Sequence, residues 1–227
     1  MFEKKVIIWD LDNTLYRVTE EFGHRLDETM AKVSIEELGL DLDFETALEK
    51  VKESFAKYRD GGEIFYRDHG ISIEDFYHAY HNNVPYEEIV PYDGLYELLS
   101  KIEVEQYIFT YSSRDLAEKI LKKIGLYEIF KDRFYSVEDF GSFKKNESCD
   151  IYHDLCVAIK HDPKDCLFVD DSYSNLEFAK EAGMTTVRLF YNSNSSKDKE
   201  YIDHAYKGIF AFLKDYEKAC PSKKRAG

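Results

Sequence analysis

Short apolar runs alternate with longer stretches of helical periodicity along this chain. Val6-Ile7-Ile8-Trp9 is the first run, and it ends in Asp10. Four uninterrupted apolar side chains suit a strand covered on both faces, as in a parallel sheet. Similar runs recur at 106–110, 133–136, 166–170 and 185–189. Between them, 113–124 places Leu116, Ile120 and Leu121 on one helical face and meets a C-terminal cap at Gly125. Residues 148–159 space Ile151, Leu155 and Ile159 in the same way, and 174–182 ends at Gly183. Strands alternating with helices of this length predict an α/β fold with a doubly wound parallel sheet.

One stretch departs from this alternation. From about 16 to 90 there is almost no strand signal, only amphipathic helical patterns broken at Gly61-Gly62 and His69-Gly70. The pattern predicts a helical subdomain, 16–90, inserted into an α/β core made of 1–15 and 91–227. Residues 201–218 read as a final amphipathic helix with Ile202, Ile209, Phe210 and Leu213 facing inward.

Composition narrows the class. With 44% hydrophobic residues, 18 Tyr and 16 Phe, the chain has ample material for a core and does not read as disordered. A net charge of -14 opposes binding of a nucleic-acid polymer, which needs a basic stripe to displace counterions. The one basic cluster, Lys223, Lys224 and Arg225, reads as a frayed terminal tail. A small anionic substrate remains compatible with an acidic chain, because a local site can be positive. Cys149, Cys156, Cys166 and Cys220 form no Cys-x-x-Cys pair, which suggests reduced structural thiols. Met1-Phe-Glu-Lys-Lys carries no leader pattern and no segment is apolar enough to span a bilayer, so the expected location is cytoplasmic, away from membranes.

The candidate chemistry sits where the strands end. In an open α/β sheet, ligands bind beyond the carboxyl ends of the strands. Asp10-Leu-Asp12-Asn-Thr-Leu follows the first strand. Two carboxylates one residue apart can act as a nucleophile that also holds a metal and as a general acid/base. Alone, the motif is equally well a solvated loop with a capping Asp. Thr110-Tyr111-Ser112-Ser113 opens a helix, where a hydroxyl and free N–H groups can cradle an anion; an ordinary N-cap by Ser112 or Ser113 is the plainer alternative. Asp170-Asp171 ends another strand, and a cation is the natural reason to place two repelling acids there. Either Lys144 or Lys145 is suited to neutralise phosphate, though a solvated lysine pair explains them as simply.

In chain order the motifs read Asp-x-Asp, Thr, Lys, Asp-Asp, each beyond a predicted strand. This resembles the haloacid dehalogenase superfamily of phosphatases, over the whole α/β core and with the helical insert where that family carries its cap. The resemblance implies a Rossmann-like core and Mg2+ as cofactor. It makes Asp10 the nucleophile, Asp12 the acid/base and a backbone-carbonyl metal ligand, and Asp170 the direct metal ligand with Asp171 behind it. Thr110, Tyr111 and Lys145 fall to the substrate phosphate. Asp10-Leu-Asp-Asn-Thr-Leu-Tyr16, Phe65-Tyr-Arg-Asp-His-Gly70, Val84-Pro-Tyr-Glu-Glu-Ile-Val-Pro91 and Phe168-Val-Asp-Asp-Ser-Tyr-Ser-Asn175 look most like its pyrimidine 5'-nucleotidase branch.

That branch implies a small phosphomonoester substrate, a pyrimidine 5'-nucleotide, with Tyr58, Phe65 or Tyr66 stacking on the base and Arg67 or His69 contacting it. Helix packing is the plainer role for those aromatics. Two departures stand out: no proline follows the lysine pair, with Tyr152 seven residues beyond Lys145, and Tyr111 stands where Asn is usual, which narrows the pocket. A sugar-phosphate or phosphoglycolate phosphatase, or a phosphomutase, is the alternative on the same fold. A receiver domain has the wrong order of acids, and a non-catalytic scaffold is disfavoured by the presence of both Asp10 and Asp12.

Overall fold

The strand β1 (Val6–Trp9) has no exposed side-chain surface, as its unbroken apolar run requires. The structure is a computed structural model that describes residues 4–191 and 199–220, so the Lys223-Lys224-Arg225 cluster lies outside the described residues. The chain divides into two units. One is Met1–Arg17 with Val90–Gly227; the other is Val18–Ile89.

The first unit is built on six strands: β1, β2 (Glu105–Thr110), β3 (Phe134–Ser136), β4 (Cys166–Asp170), β5 (Thr185–Phe190) and β6 (His204–Lys207). Their order is β3-β2-β1-β4-β5-β6 and every neighbouring pair is parallel. The chain therefore winds out from β1 to one side, returns to β4 and winds out to the other, with the reversal between β1 and β4. Register fixes what meets there. Trp9 pairs with Ile108 on one side and Val169 on the other. One residue further on, Asp10 donates its N–H to Val169 O at 2.8 Å and stands level with Asp170.

The polar residues buried in this sheet are paired. Gln106 accepts from the Trp9 indole N–H at 3.2 Å and donates to Leu99 O at 2.9 Å, which explains a buried amide in a central strand. No disulfide joins the cysteines.

The second unit is helical: α1 (Glu20–Glu36), α2 (Phe44–Tyr58), α3 (Glu63–Asp68) and α4 (Ile73–Asn83), with no strand among its described residues. Thr19, Asp43 and Ser72 cap α1, α2 and α4 by accepting backbone N–H groups. The glycines read as a loop serve close approach: a Cβ on Gly62 would lie 2.1 Å from the Phe76 ring. Phe65 is fully buried and stacks on Phe76, while Tyr66 and Tyr77 both donate to Asp60 Oδ2.

In the first unit α5 (Leu95–Leu99), α6 (Arg114–Lys123), α7 (Tyr127–Phe130), α8 (Asp150–Ile159), α9 (Tyr173–Glu181) and α10 (Ile209–Ala219) accompany the strands. The single helix expected over 201–218 is corrected. Gly208, at φ +77°, separates β6 from α10, and Phe210 is 41% exposed instead of buried. The strand escaped notice because His204-Ala-Tyr-Lys is a half-buried edge with no apolar run. Among the described residues no helix is long and apolar enough to cross a membrane.

Candidate active site

Lys145 lies in the loop before α8 and is wholly buried. Its ammonium donates to Asp10 Oδ1 at 2.5 Å, Phe109 O at 3.1 Å and Asp170 Oδ2 at 3.2 Å. An ammonium has three N–H bonds, so these partners use them all. Aromatic rings wall the site, with Tyr111 centred 5.0 Å and Phe168 5.7 Å from Nζ. Lys144 instead approaches Glu147 at 3.8 Å. Of the two lysines left open by the sequence, 145 meets the acids.

Strand ends position the carboxylates. Asp170, the last residue of β4, accepts from Ser172 N at 2.7 Å and from Asn175 Nδ2 at 3.0 Å. Asn175 accepts from the Tyr111 hydroxyl at 3.2 Å. Asp171 accepts from Asn13 Nδ2 at 2.6 Å, and Asn13 takes the left-handed conformation (φ 59°) that Asn tolerates best among non-glycine residues. Tyr152, the aromatic after the lysine pair, is buried between Phe109 and Phe168 and donates to Asn175 O at 2.9 Å.

Asp12 is held apart from that cluster. Tyr16 donates to its Oδ1 at 2.7 Å; Thr110 and Ser112 both donate to its Oδ2 at 3.0 Å. The Thr110 oxygen accepts in turn from Ser112 N. Ser113, not Ser112, caps α6 by accepting from Leu116 N.

Buried negative charge dominates the electrostatics. Burial raises the Asp10 carboxyl well above the ordinary range, Asp170 adds to the rise, and Lys145 opposes it. Burial and Asp170 push Asp171 up to about 7. For Lys145 burial acts downward, but Asp10 and Asp170 more than reverse it and hold the ammonium above an ordinary lysine. Oxygens of Asp10, Asp170 and Asp171 lie within 4.8 Å of one another. Three clustered carboxylates facing one ammonium leave an excess of buried negative charge that a hard divalent cation with oxygen preference fits. The Asp171 carboxylate stands with Asp10 and Asp170 in this cluster, whereas the Asp12 carboxylate is turned to the three hydroxyls.

Thus Asp10, Lys145, Asp170 and Asp171 come together, with Tyr111 against the lysine and Asp12 joined to Thr110. Sequence reasoning gave no site role to Asn13, Tyr16, Ser112 or Asn175. All four lie inside the quoted motifs, but only tertiary contacts single them out.

A family model for haloacid dehalogenase-like hydrolases matches residues 4–183. The chain belongs to that family. It is 29% identical over 220 residues to a glyceraldehyde 3-phosphate phosphatase of Pyrococcus furiosus, covering 88% of this chain and 87% of that one. In fold it is similar to CbbY from Rhodobacter sphaeroides in complex with phosphate, with a TM-score of 0.67 and 22% identity over 92% of this chain and 96% of that one. It is likewise similar to L-2-haloacid dehalogenase from Xanthobacter autotrophicus, with a TM-score of 0.63 and 14% identity over 94% and 98% of the two chains. At these identities the structural likeness is one of fold.

Proposed function

We propose that this hydrolase is a phosphatase that forms an aspartyl-phosphate on Asp10 and acts on a small phosphorylated sugar or triose. One observation carries the chemistry: a buried Asp10–Lys145–Asp170 cluster beside a separately held carboxylate, Asp12. Lys145 keeps Asp10 oriented and offsets part of its charge. With all three donors committed, it supports an incoming phosphate by charge instead of by a hydrogen bond. Asp10 attacks phosphorus while the bond to the leaving oxygen breaks, and Asp12 gives that oxygen a proton. Asp12 then takes a proton from water, the hydroxide attacks the aspartyl-phosphate, and Asp10 and inorganic phosphate are released. The Thr110 hydroxyl has its one proton on Asp12 Oδ2 and takes the Ser112 N–H on its oxygen, so it orders the loop after β2 around the general acid. Asp10, Asp170, Asp171 and the Asp12 carbonyl would hold Mg2+, which when bound supplies positive charge to the nucleophile and the phosphate.

The helical unit is proposed as the cap. It is inserted directly after the Asp10–Tyr16 loop, and a cap that excludes water suits a reactive acyl phosphate. The sugar-phosphate reading is favoured by the Pyrococcus relative, whose match spans most of both chains. The nucleotide reading loses part of its motive, because Phe65 is buried against Phe76 and Tyr66 is tied to Asp60.

Phosphate release by the purified chain with MgCl2 tests both levels. Glyceraldehyde 3-phosphate and other sugar phosphates are set beside UMP, CMP, AMP and GMP. We expect a sugar phosphate to give the highest kcat/KM, and Asp10→Asn to lose at least about 10^4-fold in kcat. Preference for a nucleotide restores the nucleotidase reading. Absence of release from every substrate overturns the phosphatase.

A further inference from the structure

We propose that Tyr16 and Ser112 are positioning residues for the general acid, holding the Asp12 carboxylate so that only Oδ1 is open to the substrate. The inference rests on the phosphatase reading above and adds two residues to it. A carboxylate oxygen accepts in two in-plane directions. Thr110 and Ser112 fill both at Oδ2. Tyr16 fills one at Oδ1, which leaves one direction for the proton that passes to the leaving group.

Ser112 stands at a helix start, yet the cap is Ser113, and Ser112 is 5% exposed with its hydroxyl turned to Asp12. The Ser112 N–H on the Thr110 oxygen ties the two hydroxyls into one unit. Tyr16 is 2% exposed and follows Asp12 by four residues. Asn13 turns the intervening chain through its left-handed backbone, and Leu15 N–H on Leu11 O closes the loop. The turn that carries Asp12 thus also returns the phenol that restrains it. A side chain with two rotatable bonds would otherwise sample orientations in which its proton misses the leaving oxygen, and misplacement by about 1 Å costs on the order of 100-fold.

The test separates proton delivery from everything else the site does. Departure of p-nitrophenolate needs no proton, because the phenolate is stable near neutral pH; departure of an alkoxide from glycerol phosphate needs one. The readout is kcat/KM, which ends at aspartyl-phosphate formation and so excludes the hydrolysis step common to both substrates. For Tyr16→Phe, Ser112→Ala and the double variant, we expect glycerol phosphate to lose about 10- to 100-fold while p-nitrophenyl phosphate stays within about 3-fold. Ser112→Thr, which keeps the hydroxyl, should restore most of the loss. Equal losses on the two substrates, or none, in folded variants overturn the positioning role while leaving the phosphatase intact. A wild-type chain that releases phosphate from neither these two esters nor the sugar phosphates and nucleotides above overturns the phosphatase, and this inference with it. Should Ser112→Ala fail to fold, Tyr16→Phe carries the same comparison, since it removes one oxygen and no packing.

Discussion

Lys145 and Lys144 are neighbours of the same type with opposite roles in the energetics. Both are buried, but the first has two carboxylates on it and the second reaches an exposed glutamate at 3.8 Å. Removing one partner of a buried charge group leaves the others uncompensated, whereas a single long pair to an exposed partner contributes little. We therefore expect Lys145→Met to cost about 3–5 kcal/mol in metal-free protein. Lys144→Met, which keeps the buried apolar stem, should cost clearly less than Lys145→Met, because the Glu147 carboxylate it leaves behind is exposed to water. Urea unfolding of both variants in EDTA measures the difference. Equal costs would remove Lys145 from its place at the centre of the acids.

At the scale of elements, the weakest sequence signal belongs to β6, and Asp203 explains why the strand is nonetheless held. Its carboxylate accepts from Lys180 of α9 at 2.7 and 2.8 Å and from Thr186 N of β5 at 2.9 Å, which ties a helix and a strand to the start of β6. Partial burial alone would raise the Asp203 carboxyl, but Lys180 and Thr186 hold it below the ordinary carboxylate range. A depressed folded-state value means that the ionised form stabilises the fold. That contribution is complete above the unfolded value near 3.9 and fades as pH falls through the lower folded value. Asp203→Asn should therefore cost about 1–2 kcal/mol at pH 7, with allowance for the partly exposed lysine. The gap between wild type and variant should narrow below about pH 4. Denaturation curves across that range check the sign; a gap that widens in acid would refute the assignment.

At the scale of the whole molecule, the excess of buried carboxylate makes the proposed metal a determinant of stability as well as of turnover. A ligand bound by the folded chain alone stabilises it by mass action, about 2.7 kcal/mol at a hundred times its Kd. In a chain of this length that is roughly 5–10 °C in Tm. We expect MgCl2 to raise Tm by that amount over EDTA-treated protein, and Asp170→Asn to abolish the rise. A wild-type Tm indifferent to the metal would leave Asp10, Asp170 and Asp171 without a shared cation.

The elements legible in the sequence were those with a one-dimensional signature. The apolar runs of β1, β2, β4 and β5 gave a parallel sheet, because strands buried on both faces need uninterrupted apolar residues. The periodicity of α6 and α8 gave their buried faces, and 16–90, which lacks a strand pattern, holds no strand among its described residues. Asp10 and Asp12 were marked by standing just beyond such a run, and Asp170 by ending one. What the sequence lacked was any signal whose meaning depends on a distant partner. β6 has no apolar run, since an edge strand is covered on fewer sides. Lys144 and Lys145 are indistinguishable until the fold turns one of them into the space between β1 and β4. Ser112 and Ser113 are equal caps until one meets Asp12, a hundred residues away in the chain. Short-range order follows from local burial and periodicity, and those are written in neighbouring residues. The choice between chemically identical neighbours was made by the tertiary structure, because hydrogen-bond and charge energies depend on where a side chain points in three dimensions.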